Sequence, residues 1–68
     1  MKVLVTGANG LLGHHLVMHL LARNDQVAVL VRSTAGIHFH LHRVEVFLGN
    51  FTDYETFKKA ATGCDAVI

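Results

Sequence analysis

Several features that would mark other kinds of protein are missing from this 68-residue chain. A single cysteine, Cys64, excludes an internal disulfide and a cysteine-based zinc cluster, and it suits a reducing, cytoplasmic setting. No run approaches the ~20 apolar residues of a membrane span. Residues 1–5 imitate a signal peptide only briefly. Thr6, Gly7, Asn9 and Gly10 interrupt the stretch before an apolar core can form, and no convincing small-residue cleavage site follows. Charge is scarce too, at 16% of residues and a net +1 with histidine counted as neutral. No basic stripe stands out, so neither nucleic acid nor a membrane is an expected partner. There is no internal repeat and no low-complexity linker.

What remains is short and apolar. Hydrophobic residues make up 51% of the chain, too many for a disordered tail. A chain of this length buries only about 60% of the surface its unfolded form exposes, so one small unit is the most it forms. The expectation is that part of its apolar surface packs against chain beyond these residues.

The periodicity alternates between two kinds. Val3-Leu4-Val5 is a continuous apolar run, as in a strand covered on both faces. Over residues 11–23 the period becomes helical. At ~100° per residue, Leu12, Gly13, Leu16, Val17, Leu20 and Leu21 fall on one half, with His14, His15, Met18, His19, Ala22 and Arg23 on the other. Asn24-Asp25 turns the chain into a second buried-type strand over residues 27–31. Residues 33–43 are the least regular, with Gly36 and the alternation His38, His40, His42. A third strand covers residues 44–48 and ends at Gly49. Thr52-Asp53-Tyr54-Glu55 then reads as a capping box, with Thr52 as cap. The helix it opens places Tyr54, Phe57 and Ala61 on one face, with Lys58 and Lys59 at its negative end and Gly63 at its left-handed cap. A fourth strand starts at residue 65, leaving an apolar edge of the kind proteins usually cover. Strands alternating with helices at this spacing predict an α/β fold with a parallel sheet of order 3-2-1-4.

The chemistry concentrates in Thr6-Gly7-Ala8-Asn9-Gly10-Leu11-Leu12-Gly13, a G-x-x-G-x-x-G pattern between the first strand and the first helix. Gly7 permits the tight turn out of the strand, Gly10 lets the backbone approach a pyrophosphate, and Gly13 allows close helix packing. The free N–H groups near Leu11 and Leu12 face the anion at the positive end of the helix dipole. No Lys-Ser/Thr pair follows the last glycine, so a nucleoside-triphosphate loop is not indicated. The simpler alternative is a glycine turn without a ligand. Strand before, helix after and Gly13 on the packing face together favour a dinucleotide.

With that loop, the chain resembles the short-chain dehydrogenase/reductase superfamily, particularly its extended and atypical branches of epimerase/dehydratase and dihydroflavonol-reductase-like proteins. The match runs through T-G-A-N-G-L-L-G at 6–13, V-R-S at 31–33, G-N-F-T-D at 49–53 and G-C-D-A-V-I at 63–68. The resemblance implies the first half of a Rossmann fold, truncated at the fourth strand, with the whole of residues 1–68 a partial NAD(P)-binding domain. The catalytic and substrate-binding portion would lie outside it. It further implies a cytoplasmic oxidoreductase, isomerase or lyase that often forms homodimers and acts on a small-molecule substrate, while the chain alone is not expected to be active. An acid commonly ends the second strand in NAD-binding proteins. Here Val31-Arg32-Ser33 offers a guanidinium instead, suited to a 2′-phosphate or to stacking on adenine, which favours NADP over NAD. The family's acidic residue that holds the adenine amino group corresponds to Asn50, whose amide oxygen can accept without a full charge. Phe51 would pack beside the adenine or fill core. The leading expectation is therefore the NADP-binding part of a reductase that moves hydride between nicotinamide and a carbonyl or alcohol carbon. An NAD-dependent sugar-nucleotide epimerase or dehydratase and a non-catalytic NADP sensor are the alternatives.

Three other patterns carry less. Tyr54-x-x-x-Lys58 has the family's tyrosine–lysine spacing but precedes the fourth strand, where the family's pair follows the fifth, so Tyr54 is expected to face the core and Lys58 the solvent. His15 and His19 share a helix face, and His38, His40 and His42 would share one if extended, yet neither set completes a metal site. Cys64 is expected to be a small buried residue.

Overall fold

The computed structural model describes residues 1–8, 10–34, 37, 43–50 and 52–68. Six elements follow in the order β1 (Lys2–Thr6), α1 (Leu11–Ala22), β2 (Gln26–Val31), β3 (Glu45–Leu48), α2 (Tyr54–Ala61) and β4 (Ala66–Val67). The four strands form one parallel sheet in the order β3-β2-β1-β4, the arrangement of the N-terminal half of a Rossmann fold. Val3 lies opposite Val27 on one side and Ala66 on the other, while Ala28 faces Glu45 across to β3.

Because successive strand residues point to opposite faces, the two central strands build two cores. On one face Val3, Val5, Val27, Val29 and Val31 pack with Val17, Leu20 and Leu21 of α1. On the other, Leu4, Ala28 and Leu30 meet Ala60 of α2, with Phe47, Phe57 and Cys64 around them. The helices therefore cover opposite faces, which is why β1 and β2 are apolar without alternation.

Both helices end in left-handed residues. The Asn24 N–H donates to the Leu21 carbonyl at 3.0 Å and the Asp25 N–H to the Leu20 carbonyl at 3.1 Å, with Asn24 at φ 63°. This is a Schellman motif with asparagine where glycine is commoner. After α2, Gly63 takes the role expected of it, at φ 80°. Arg43, two residues before β3, reaches the Leu21 carbonyl at 3.2 Å, tying the approach to that strand to the end of α1.

Three local expectations need correction. The cap of α2 is Asp53, not Thr52. The Asp53 carboxylate accepts from the Thr56 hydroxyl at 2.9 Å, and the Thr52 N–H is instead taken by the Asn50 side chain at 3.1 Å. Leu12 belongs to the apolar half of α1 by period yet is 84% exposed. The first turn of α1 lies over the glycine loop, so only the later turns reach the sheet. Tyr54 does not face the core but is 69% exposed. The buried residue of α2 is Ala60, and at ~100° per residue Tyr54 stands about 120° around the helix from it. The Lys58 ammonium lies 6.0 Å from the Tyr54 ring centroid, a solvent-side cation–π contact.

Cys64 is half-buried, and its thiol donates to the Ala60 carbonyl at 3.4 Å. His15 and His19 are exposed, and no three potential metal-ligating side chains converge among the described residues. His38, His40 and His42 lie outside the described residues. Among those described, no helix is long and apolar enough to cross a membrane.

Candidate functional site

A parallel sheet ends all its strands on one side, and the crevice beyond those ends is where open α/β sheets take ligands. Here that crevice is a cleft of about 410 Å³. Thr6 and Gly7 enter it from β1, Leu30, Val31 and Arg32 from β2, and Gly49, Asn50 and Thr52 from the loop after β3.

The glycine loop forms one wall. Gly7 leaves β1 at φ 66°, a conformation that L side chains adopt at a cost, and open space lies where its Cβ would be. The Gly10 N–H donates to the Gly7 carbonyl at 3.0 Å, closing the turn, and the His14 N–H then donates to the Gly10 carbonyl at 2.8 Å, starting the helix. A Cβ on Gly13 would collide with the Gly7 carbonyl oxygen and stand 3.0 Å from the Ala8 Cα. Close packing at Gly13 is thus against the loop's own backbone rather than the sheet. Gly10 provides no side-chain cap and the first turn holds no acidic residue. The opening N–H groups of α1, at the positive end of its dipole, are left to an anion. Gly7 turning at positive φ, Gly10 and Gly13 set where a Cβ would crowd the Gly7 carbonyl, and a helix start with no side-chain cap among the described residues together fit a pyrophosphate.

The opposite wall is built by the loop after β3. The Gly49 N–H donates to the Val31 carbonyl at 2.9 Å, extending the β2–β3 ladder by one bond. Thr56 of α2 crowds Gly49, with its methyl group 2.6 Å from where a Cβ would stand. The Asn50 side-chain oxygen accepts from the Thr52 N–H, and the Asn50 carbonyl accepts from the Asp53 N–H at 2.8 Å. These two bonds tie Asn50 to Thr52 and Asp53, the residues just before α2.

Gly7, Arg32 and Asn50, all singled out from the sequence, therefore come together around one cleft. Gly10, Leu11, Leu12 and Gly13 form the turn and helix start beside it, with Leu11 78% exposed. Asn9 and Phe51 lie outside the described residues. Thr6, Leu30, Val31, Gly49 and Thr52 also line the cleft without having been singled out. For Thr6, Leu30, Val31 and Gly49 the available signal was their position at strand ends. Arg32 is exposed and is the single charged residue among the described residues that line the cleft, none of which is a carboxylate. At the β1 wall both the Thr6 N–H and its hydroxyl donate to the Ile68 carbonyl, at 2.9 and 3.0 Å, which fixes the end of β4 beside the loop. Tyr54 and Lys58 are not part of this cleft.

A family model described as NAD(P)H-binding matches residues 7–68. The chain is 37% identical over 68 residues to the 4-hydroxy-2-methyl-3-oxo-4-farnesyl-3,4-dihydroquinoline-1-oxide ketoreductase of Stigmatella aurantiaca, covering 98% of the chain and 20% of that protein. Among solved structures it resembles a Rossmann-fold NAD(P)-binding family protein from Shigella flexneri, with a TM-score of 0.85 and 25% identity. The overlap covers 97% of this chain and 34% of that one. A wide-type short-chain dehydrogenase/reductase from Veillonella parvula, solved in complex with NADP, shares the fold at a TM-score of 0.84 and 24% identity, over 97% of this chain and 33% of that one. The chain thus spans between a fifth and about a third of the length of these proteins.

Proposed function

This chain belongs to the NAD(P)H-binding family, as a short-chain-dehydrogenase-like Rossmann region, and from that premise we propose that it holds NADP for a reductase acting on a carbonyl or alcohol substrate. The observation that carries the choice of NADP is the cleft's charge. Arg32 stands at the end of β2 with no carboxylate among the described residues that line the cleft, and a guanidinium matches a 2′-phosphate with two parallel hydrogen bonds. A carboxylate there would repel the same phosphate.

Gly7, Gly10 and Gly13 would shape the main chain around the pyrophosphate, and the Leu11 and Leu12 N–H groups would donate to its oxygens. Asn50, and Phe51 beside it, would meet the base. When bound, the nicotinamide supplies hydride transfer to or from a carbon of the substrate. The ketoreductase relationship supports a carbonyl as the acceptor. Tyr54 and Lys58, despite their spacing, lie on the outer side of α2 and so do not serve as the proton relay. The catalytic apparatus and the substrate site would belong to other parts of the whole protein, which would work in the cytoplasm, often as a homodimer.

Titration with NADPH and NADH by calorimetry tests the assignment. The chain should prefer NADPH by roughly tenfold or more, the scale of one charge-assisted pair. Arg32→Asp should abolish or invert that preference. An unchanged preference in Arg32→Asp would overturn the choice of NADP.

A further inference from the structure

The outer side of α1 carries chemistry that the cleft does not use. The helix holds no acidic residue, cysteine, lysine or arginine. Val17, Leu20 and Leu21 bury one side of it, while His15, Met18 and His19 stand exposed on the other. Met18 keeps 44% of its surface in solvent, unusual company for two histidines on a helix. None of the three lines the cleft.

Their spacing puts three donors within one turn. At ~100° per residue, His19 stands about 40° to one side of His15 and Met18 about 60° to the other. Residues three and four apart on a helix have Cβ atoms roughly 5–6 Å apart. Helical side chains lean toward the N-terminus, so Met18 and His19 tilt back over the turn that starts at His15. Exposed side chains change rotamer quickly, and such changes are all that is needed to gather these donors round one ion. The His15 ring has an edge contact with His14, at 5.8 Å between centroids. His14 itself is about 140° around the helix from His19 and does not join the set.

The donors decide which ion suits them. Two imidazoles and a thioether bring no negative charge, and among the described residues no third histidine, cysteine or carboxylate joins them. Asp25, beyond the helix end, is already flanked by the Arg23 guanidinium at 3.5 Å and the terminal ammonium at 3.8 Å. Calcium and magnesium require oxygen ligands. Thioether sulfur selects Cu(I), and a monovalent ion is the easiest to hold without a counter-charge. We propose that His15, Met18 and His19 form a binding site for a soft monovalent cation of the Cu(I) class, ligated by two imidazole nitrogens and one thioether sulfur. Met18 sets the selectivity, since imidazole alone serves zinc, copper and nickel alike. The site is separate from the cleft and independent of which cofactor the cleft takes.

The test is a magnetic-resonance titration of the 68-residue chain with Cu(I) in anaerobic ascorbate, an ion that is diamagnetic and leaves signals sharp. The imidazole resonances of His15 and His19 and the methyl resonance of Met18 should move along one common binding curve. Movement confined to His38, His40, His42 or Cys64 would overturn the site. Met18→Leu keeps the apolar volume and removes the thioether. It should weaken Cu(I) binding at His15 and His19 by roughly tenfold or more, and leave zinc binding there within about twofold. His19→Gln should weaken both ions by roughly tenfold or more. Equal losses of Cu(I) and zinc in Met18→Leu, or no loss of either, would overturn the assignment of the thioether. Melting curves of both variants should match the native chain, as the replaced side chains are exposed. Were a variant to unfold, the common curve in the native chain would still decide the site.

Discussion

Gly13 packs against the carbonyl group of Gly7 so closely that a Cβ at Gly13 would lie 2.9 Å from the carbonyl carbon. The first and third glycines of the motif thus form a single backbone contact across six residues of chain. Alanine is the better helix former by about 1 kcal/mol, whereas forcing a methyl group into packed backbone costs about 1–3 kcal/mol. The clash wins, since backbone cannot swing aside. Gly13→Ala should lower the melting temperature and displace the loop, and calorimetry should show weaker NADPH binding. A rise in melting temperature would show that the helix start can shift without loss.

Gly7 and Gly63 separate strain from contact. Both have positive φ, at 66° and 80°, and at neither does a Cβ meet any atom within 4 Å. Alanine at either site should cost about 1–2 kcal/mol from the left-handed conformation alone. Gly7 lines the cleft and Gly63 does not. Gly7→Ala should therefore also weaken dinucleotide binding, while Gly63→Ala should leave the affinity unchanged in the same titration.

Gly49 and Thr56 form a pair that a double substitution can take apart. Gly49→Ala would place a methyl group 2.6 Å from the Thr56 methyl, and the Thr56 hydroxyl is held by Asp53 at 2.9 Å. The threonine cannot turn away without losing that bond. Gly49→Ala should cost about 1–3 kcal/mol by chemical denaturation. Adding Thr56→Ser removes the obstructing methyl and keeps the hydroxyl, so it should recover most of the loss. Simple additivity of the two changes would show that the contact is not the cause.

Tyr54 should be nearly dispensable for stability. At 69% exposure its replacement by alanine forfeits little burial and a cation–π contact worth roughly 0.5–1 kcal/mol. Truncating a buried aromatic residue would cost about 3–5 kcal/mol. A denaturation experiment on Tyr54→Ala distinguishes these, and unchanged NADPH affinity should accompany the small loss.

The order of elements, the parallel sheet and the place of the glycine loop were all legible in the residues. A doubly covered strand has to be apolar throughout, as Val3 to Val5 are, and a turn at φ 66° selects glycine at residue 7. Those are local demands, and local sequence answers them. Which hydrogen-bonding groups remain to meet a ligand was decided only when the chain folded. The Thr52 N–H donates to the Asn50 side-chain oxygen within a turn, and Asp53 rather than Thr52 caps α2. Leu12 and Tyr54 fit apolar faces by period, yet the first turn of α1 lies over the glycine loop and α2 turns Tyr54 away from the face that buries Ala60. Burial and donor–acceptor pairing are properties of neighbours brought together in space, and a linear pattern specifies only one side of each pair.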